Sequence, residues 1–512
     1  MSTNNDPDIS PVIALARAQG IPCLLSGEGD YEALRPVHNA RLQTYPQVIA
    51  PCRDETDVAF WLRELQGFVV PISIRSGGHH HEAMCSNTGG VVLITPSEKD
   101  IDIDPTNNTI WVGSGQKLRN VIYNLGQHER IMPTGGCGTV NVGGLTHGGG
   151  WGMSYRTWGL TSDALLKVEM VLPNGDFVKL DASGFTDGTG TSLDVDPEKL
   201  FWAIRGGGGG NFGVVTRFQF RIFAPCPVYT EFTLQWDKAG RHDAALAWVD
   251  LCNSDDTNLN TFGRMTVMDD PDHKFWNPPL VIGGRYYGDL AQCHKALAEF
   301  LEKAPTEHQY YREKRLDDPA DFLDILMLSP DAGPSLADGT PIPPQGFALQ
   351  VGAPKADGPV STCIDEPEPH KVSSTMPGGD HDEVFRRAED YIDNSDDQPD
   401  VNMYLSLHGM GGRGAENREG AFPWRDKPYM LQVQAWWNPG SKTEAEEKAL
   451  VDWVGGFRKA LEPACEGAFI NFPDRAQDPE QYYGGSWEAL RDVKDMVDPK
   501  DRLGFLLGVK PH

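Results

Sequence analysis

Residues 133–144, Pro133-Thr134-Gly135-Gly136-Cys137-Gly138-Thr139-Val140-Asn141-Val142-Gly143-Gly144, run on through Leu145-Thr146-His147 into Gly148-Gly149-Gly150-Trp151-Gly152. One thiol is set in a field of glycines. A cysteine that only fills a core behaves as a small hydrophobe and needs no such surroundings. Glycines this dense let the backbone come close to a ligand. Upstream, Ile74-Arg75-Ser76-Gly77-Gly78-His79 offers an imidazole in the same manner. It follows a strand pattern, and the N–H groups of a Ser-Gly-Gly turn can cup an anion. Downstream, five glycines at 206–210 precede Asn211-Phe212-Gly213-Val214-Val215-Thr216. That segment matches G-x-G-x-x-G in form, but a strand follows it where the dinucleotide fingerprint needs a helix.

Bulk properties narrow the classes. A chain of 512 residues should divide into two or three domains. A net charge of −28 opposes nucleic acid and anionic membranes and suits a small substrate. Nine scattered cysteines without a CxxC or zinc spacing read as free thiols in a reducing compartment. The N-terminus lacks a signal-peptide pattern, and no stretch approaches the ~20 apolar residues of a membrane span. Together these features suggest a cytoplasmic protein. His79-His80-His81 with Cys85 does not suggest a metal site, because adjacent side chains in extended chain point to opposite faces. His147-Gly148-Gly149-Gly150 resembles a hydrolase oxyanion loop, but no Gly-x-Ser-x-Gly elbow accompanies it.

Periodicity suggests a helical lead-in over 10–35, with Ile13, Leu15 and Ala16 as its apolar side. A helix over 54–67 carries Val58, Trp61, Leu62 and Leu65 on one face. A buried strand at 69–74 delivers the first glycine loop. Strands at 91–94 and 109–112 and a helix at 118–127 follow. Asn174-Gly175 marks a hairpin between 165–172 and 176–180, since that pair accepts the positive φ of a tight turn. A helix at 198–205 and a strand at 214–222 come next. Beyond about 228, strands at 281–287, 347–352, 403–408 and 430–436 lie among helices at 290–303, 382–393 and 444–459. This pattern reads as an α+β sheet covered by helices. The Pro-, Asp- and Glu-rich stretch 354–381 reads as a loop.

The order of these motifs resembles the berberine-bridge-enzyme-like branch of the FAD-linked oxidases, which have a PCMH-type (vanillyl-alcohol-oxidase) FAD-binding fold. The resemblance rests on residues 75–79, 137–144, 148–152 and 211–216, on Ala421-Phe422-Pro423-Trp424-Arg425, and on Tyr482-Tyr483-Gly484. It implies an FAD domain over 1–225, a substrate domain over 226–457 with an antiparallel sheet covered by helices, and a segment 458–512 returning to the FAD domain. It implies bicovalent FAD, bonded through His79 and Cys137. The flavin surroundings it implies are Arg75, Ser76, Gly77, Gly78, Val140, Gly143, Gly144, Leu145, Gly148, Gly149, Gly150, Gly152, Asn211, Gly213, Val214, Val215, Asn471 and Tyr483. Val140 falls where the family places a residue controlling oxygen access. Leu145 stands where the family often has a histidine, and Trp424 where a histidine is more usual. The activity implied is hydride transfer from a small organic substrate to the flavin, with O2 reoxidising it to give H2O2.

Alcohol and sugar oxidases of the family often carry Tyr-x-Asn-Tyr near the C-terminus; here the segment is Phe469-Ile470-Asn471-Phe472. Phenylalanine cannot take a proton. Gln432 and Gln434 lie two apart on one strand and face one way, where relatives place a Glu, Asp or Gln beside the flavin. Tyr404 and His408 are substitute base candidates. The loss of both phenols turns the reading from sugars toward tailoring of a small natural product, with oxidation able to trigger ring closure. A redox-neutral cyclase, a dehydrogenase with another acceptor and a carbohydrate oxidase stay as alternatives.

Overall fold

The computed structural model describes residues 7–96, 101–267, 278–317, 321–322, 367–396 and 401–512. A small parallel sheet comes first: Val48–Pro51 (β1), Ile72–Arg75 (β2) and Val91–Ile94 (β3), in the order β1-β3-β2. The helix Glu55–Glu64 covers it with Val58, Trp61 and Leu62, all fully buried, and Leu65 is buried just beyond the helix end. Asp54 caps this helix by accepting from Thr56 and Asp57 N–H. Two details depart from the expected pattern. Val69 is 95% exposed, so the strand starts at Ile72, and the first helix, Ser10–Ala18, buries Val12 and Ala16 while Leu15 turns outward.

The second sheet is antiparallel throughout. Asp102–Asp104 (β4), Thr109–Gly113 (β5), Leu165–Val171 (β6), Phe177–Asp181 (β7), Gly184–Phe185 (β8) and Val214–Arg221 (β9) run in the order β4-β5-β9-β6-β7-β8. The hairpin of β6 and β7 turns at Asn174-Gly175, where Gly175 has φ +88°. Ile110, Val168, Phe218 and Phe220 form its core with the helices Leu118–Gly126, Pro197–Ile204 and Trp487–Val497. Tyr482, Tyr483, Leu507 and Val509 pack into the same core.

The third sheet holds Val228–Trp236 (β10), Leu259–Thr266 (β11), Leu280–Tyr286 (β12), Gln309–Arg315 (β13), His370–Pro377 (β14), Val401–Gly409 (β15), Tyr429–Trp437 (β16) and Cys465–Glu466 (β17). Their order is β13-β10-β12-β11-β15-β16-β14-β17, antiparallel at every step. Helices Arg241–Cys252, Leu290–Lys303, His381–Asp393 and Glu444–Leu461 cover one face, against Leu405, Leu407, Leu431 and Val433. The opposite face is polar yet buried. The strand expected at 347–352 lies outside the described residues. The loop expected over 354–381 is corrected in its second half: residues 370–377 form β14, with all eight residues buried. Among the described residues no helix is long and apolar enough to cross a membrane, and the eight described cysteines form no disulfide with one another.

Candidate active site

The polar face of the third sheet follows from strand alternation and register. Trp436 pairs with His370 and Asn402, Gln434 with Val372 and Tyr404, and Gln432 with Ser374 and Ser406. His408 stands beside Met430 and Phe262. These rows form one wall of a large cavity. Its other walls are the end of β2 with residues 76–81, the segment from Gly135 through Gly148, Gly208–Gly210, and residues 470–473.

Thirteen residues of the expected flavin surroundings line this cavity: Ser76, Gly77, Gly78, His79, Cys137, Val140, Gly143, Gly144, Leu145, Gly148, Gly213, Val215 and Asn471. So do Tyr404, His408, Gln432 and Gln434. Seven others of the expected surroundings do not line it and stand behind the wall. Arg75 alternates with Ile74 and Ser76, so its side chain points away, and its guanidinium donates to the carbonyls of Leu34 (2.6 Å) and Pro36 (2.7 Å). Val214 alternates with Val215 in the same way and packs beside Val171. Gly149 and Gly150 have φ of +115° and +80°, and Gly150 N–H donates to Asn471 Oδ1 at 3.1 Å. A Cβ on Gly152 would lie 1.8 Å from the Thr134 carbonyl oxygen. Asn211 donates to Gly207 O (2.9 Å) and accepts from Val509 N–H (2.9 Å), and the Tyr483 hydroxyl donates to Leu507 O (3.3 Å). These two hold the glycine loop to the C-terminal segment.

Side chains not expected in the site from sequence complete it: His38, His81, Asn141, Trp436 and Phe472 line the cavity. Trp436 was legible, since it continues the Gln432-Gln434 alternation by two residues. His370 stacks on Trp436 at 4.0 Å between ring centroids, and His38 lies 4.3 Å from His79. Burial drives the imidazoles toward the neutral form. It holds His79 well below the usual range, with nearby His38, His81 and Lys117 adding to the effect. It lowers His38 to about 4 and His408 to about 3. A neutral imidazole keeps the lone pair that a nucleophile requires. Cys137 Sγ lies 3.3 Å from Thr139 Oγ1.

Residues 46–181 match the FAD binding domain family model, and residues 468–510 match the berberine and berberine-like model. Over 496 residues the chain is 29% identical to berberine bridge enzyme-like 21 of Arabidopsis thaliana, covering 90% of this chain and 84% of that one. The chain is similar to the berberine-bridge-like FAD-linked oxidases over nearly its whole length. It is therefore an FAD-dependent oxidoreductase. It is also 25% identical to a carbohydrate oxidase of Microdochium nivale, covering 97% of this chain and 94% of that one. A solved glucooligosaccharide oxidase from Acremonium strictum, described with a 6-S-cysteinyl, 8α-N1-histidyl FAD, superposes with a TM-score of 0.81 at 21% identity, covering 98% and 99% of the two chains. A likeness at that identity speaks to the fold.

The residues present fit a flavin. Among the described residues the N–H groups of Ser76, Gly77, Gly78 and His79 meet no backbone acceptor. A Cβ on Gly144 would meet nothing within 4 Å, and one on Gly209 nothing nearer than 3.6 Å. The berberine-bridge-like cavity thus has walls stripped to backbone, against which a flat ring and a pyrophosphate can lie.

Proposed function

We propose that this protein carries FAD bonded to both His79 and Cys137 and uses it as an O2-dependent oxidase of a small organic substrate. The observation carrying this reading is that the two nucleophiles line one glycine-walled cavity, and that His79 is held neutral there. The tethering found in the Acremonium enzyme uses the same two residue types. When bound, the flavin accepts a hydride from the substrate and passes two electrons to O2, yielding H2O2. The residues that would hold it are Ser76–His79, Cys137, Gly143–Leu145, Gly148 and Gly213. Residues 1–225 with 458–512 would form the flavin unit and 226–457 the substrate unit.

At the substrate end, Phe472, Trp436, Tyr404 and the two glutamines offer rings and amides. That lining suits a small natural-product-type compound, whose oxidation can trigger ring closure. A second reading, oligosaccharide oxidation, is favoured by the near full-length likeness to the Microdochium carbohydrate oxidase. The two phenylalanines at 469 and 472 weigh against it. Intact-protein mass after denaturation tests the cofactor claim. The wild type is expected to gain one FAD, and His79→Ala and Cys137→Ala each to retain it. A bare-chain mass for wild type would refute covalent attachment. Efficient O2 uptake with cellobiose would decide for the second reading.

A further inference from the structure

Two hydrogen-bond chains meet at the substrate end of the cavity, and each contains one group whose role is fixed by its chemistry. The first starts at Trp436. Its indole N–H can only donate, and it donates to Gln434 Oε1 at 2.9 Å. The Tyr404 hydroxyl donates to the same oxygen at 3.1 Å. Gln434 Nε2 therefore faces Ser406 Oγ (2.7 Å) and Gln432 Oε1 (3.0 Å) as a donor. His408 Nε2, 3.2 Å from Gln432 Oε1, must then carry a proton. Its lone pair is left on Nδ1, which is buried without a partner among the described residues, against the rings of Trp151 and Phe262. Gln434 has used both acceptor sites and both donors. Gln434 has no group left for a substrate, and the one lone pair left on His408 is buried against the rings of Trp151 and Phe262.

The second chain starts at the Glu368 carbonyl, which can only accept. His370 Nδ1 donates to it at 2.8 Å. Burial keeps His370 neutral, so its Nε2 holds a lone pair. The 2.9 Å contact from His81 Nδ1 to that nitrogen is then a donation by His81. This leaves the lone pair of His81 on Nε2, which has no hydrogen-bond partner among the described residues, in a residue that lines the cavity. The His81 ring lies 6.1 Å from Phe472 and 6.3 Å from Trp436, between centroids.

We propose that His81, rather than His408, is the proton acceptor of the reaction, and that His370 is the positioning residue that fixes its tautomer. This rests on the flavin-oxidase reading above. The substrate class it selects carries an O–H or N–H on the carbon to be oxidised. That hydrogen docks on His81 Nε2. The C–H leaves as hydride to the flavin with two electrons, the O–H bond breaks, its proton passes to Nε2, and C–O becomes C=O. Around His81 stand His38, His80, His370 and Lys371, and behind Lys371 lies Glu82. Burial and those neighbours keep the ring neutral and its lone pair available. A weak base suffices, because an alcohol losing hydride becomes a strong acid.

The first test needs no substrate. Flavin-loaded protein is treated with diethyl pyrocarbonate at mildly acidic pH, where free histidines are largely protonated. Peptide mass mapping is expected to find His81 carbethoxylated on Nε2 and His408 unmodified; the reverse pattern overturns the proposal. The second test follows anaerobic flavin reduction by whichever of cellobiose and benzyl alcohol reduces wild type faster. His81→Gln is expected to be about 100-fold slower with its FAD adduct intact. A rate within about threefold of wild type, adduct intact, overturns the assignment. His370→Phe is expected to leave the adduct intact and to spread carbethoxylation of His81 over both ring nitrogens. Unchanged Nε2 selectivity overturns the positioning role. A wild type lacking the FAD adduct would refute the flavin reading instead.

Discussion

One methyl group separates two kinds of glycine in this site. Gly152 has backbone against it: a Cβ there would sit 1.8 Å from the Thr134 carbonyl oxygen. Gly152→Ala is expected to cost about 3 kcal/mol, seen as a lower urea midpoint, because the main chain itself must shift. Gly144 has only the cavity against it, and it lies within the helix Val142–Gly148. Gly144→Ala is expected to stabilise the chain by up to about 1 kcal/mol through helix propensity. The same change is expected to lower FAD content, measured by the ratio of flavin to protein absorbance. A fall in stability, or full flavin loading, would remove Gly144 from the ligand wall. The sequence marks both residues alike, since it displays glycine but not what faces it. The same limit explains Arg75 and Val214, which belong to the right strands in the wrong phase. His370 left no mark, because its partner His81 is 289 positions away.

Helices and strands were legible in proportion to how plainly they separate polar from apolar residues. The helix Glu444–Leu461 begins with a capping box, in which Thr443 accepts from Glu446 N–H and Glu446 reaches back to Thr443. Thr443→Ala is expected to cost about 1 kcal/mol in thermal unfolding with flavin content unchanged. An unchanged midpoint would mean that tertiary packing alone holds that helix end. Strands β11 and β14 gave no such signal. Both are buried along their whole length, yet β11 carries Asn260, Thr261, Arg264 and Thr266, and β14 carries His370, Lys371, Ser373, Ser374 and Thr375. Polar residues in an acidic, proline-rich neighbourhood read as loop. The polar residues of these two strands find partners inside the fold: Asn260 donates to Thr157, Trp248 donates to Thr261, Lys371 pairs with Glu82 and Asp474, and Phe469 N–H donates to Ser374. Polar residues satisfied inside the fold therefore hide a strand from hydropathy, whereas β15 and β16, which line the cavity, kept enough Leu, Val and Met to be seen.

At the scale of the molecule, ionisable groups tie together the segments that wall the cavity. Lys371 on β14 bonds Glu82, three residues after His79, and Asp474, two after Phe472 (2.5 Å to the latter). Both carboxylates have side chains only 1% exposed. Lys371→Met is expected to cost about 3–5 kcal/mol, since it strands two buried charges, although Arg41 and Arg475 still reach Glu82. Urea unfolding of the flavin-loaded protein measures this, and a loss under about 1 kcal/mol would mean that the two arginines suffice. The buried histidines add a pH dependence of definite sign. Burial lowers His38 and His80 to about 4, and His81 and His408 to about 3. In the unfolded chain they titrate near 6.5. Between these limits the unfolded chain binds more protons than the folded one, so stability rises with pH across the window. It is fully present above about pH 6.5 and is lost as pH falls toward 4 and then 3, each histidine contributing up to about 1.4 kcal/mol per pH unit. The urea midpoint of the flavin-loaded protein should therefore drop steeply below about pH 6, before most carboxylates titrate. His408→Gln should shallow that slope by removing one of the four groups, whereas a midpoint level from pH 6.5 to 4 would mean that these imidazoles take up protons in the folded state.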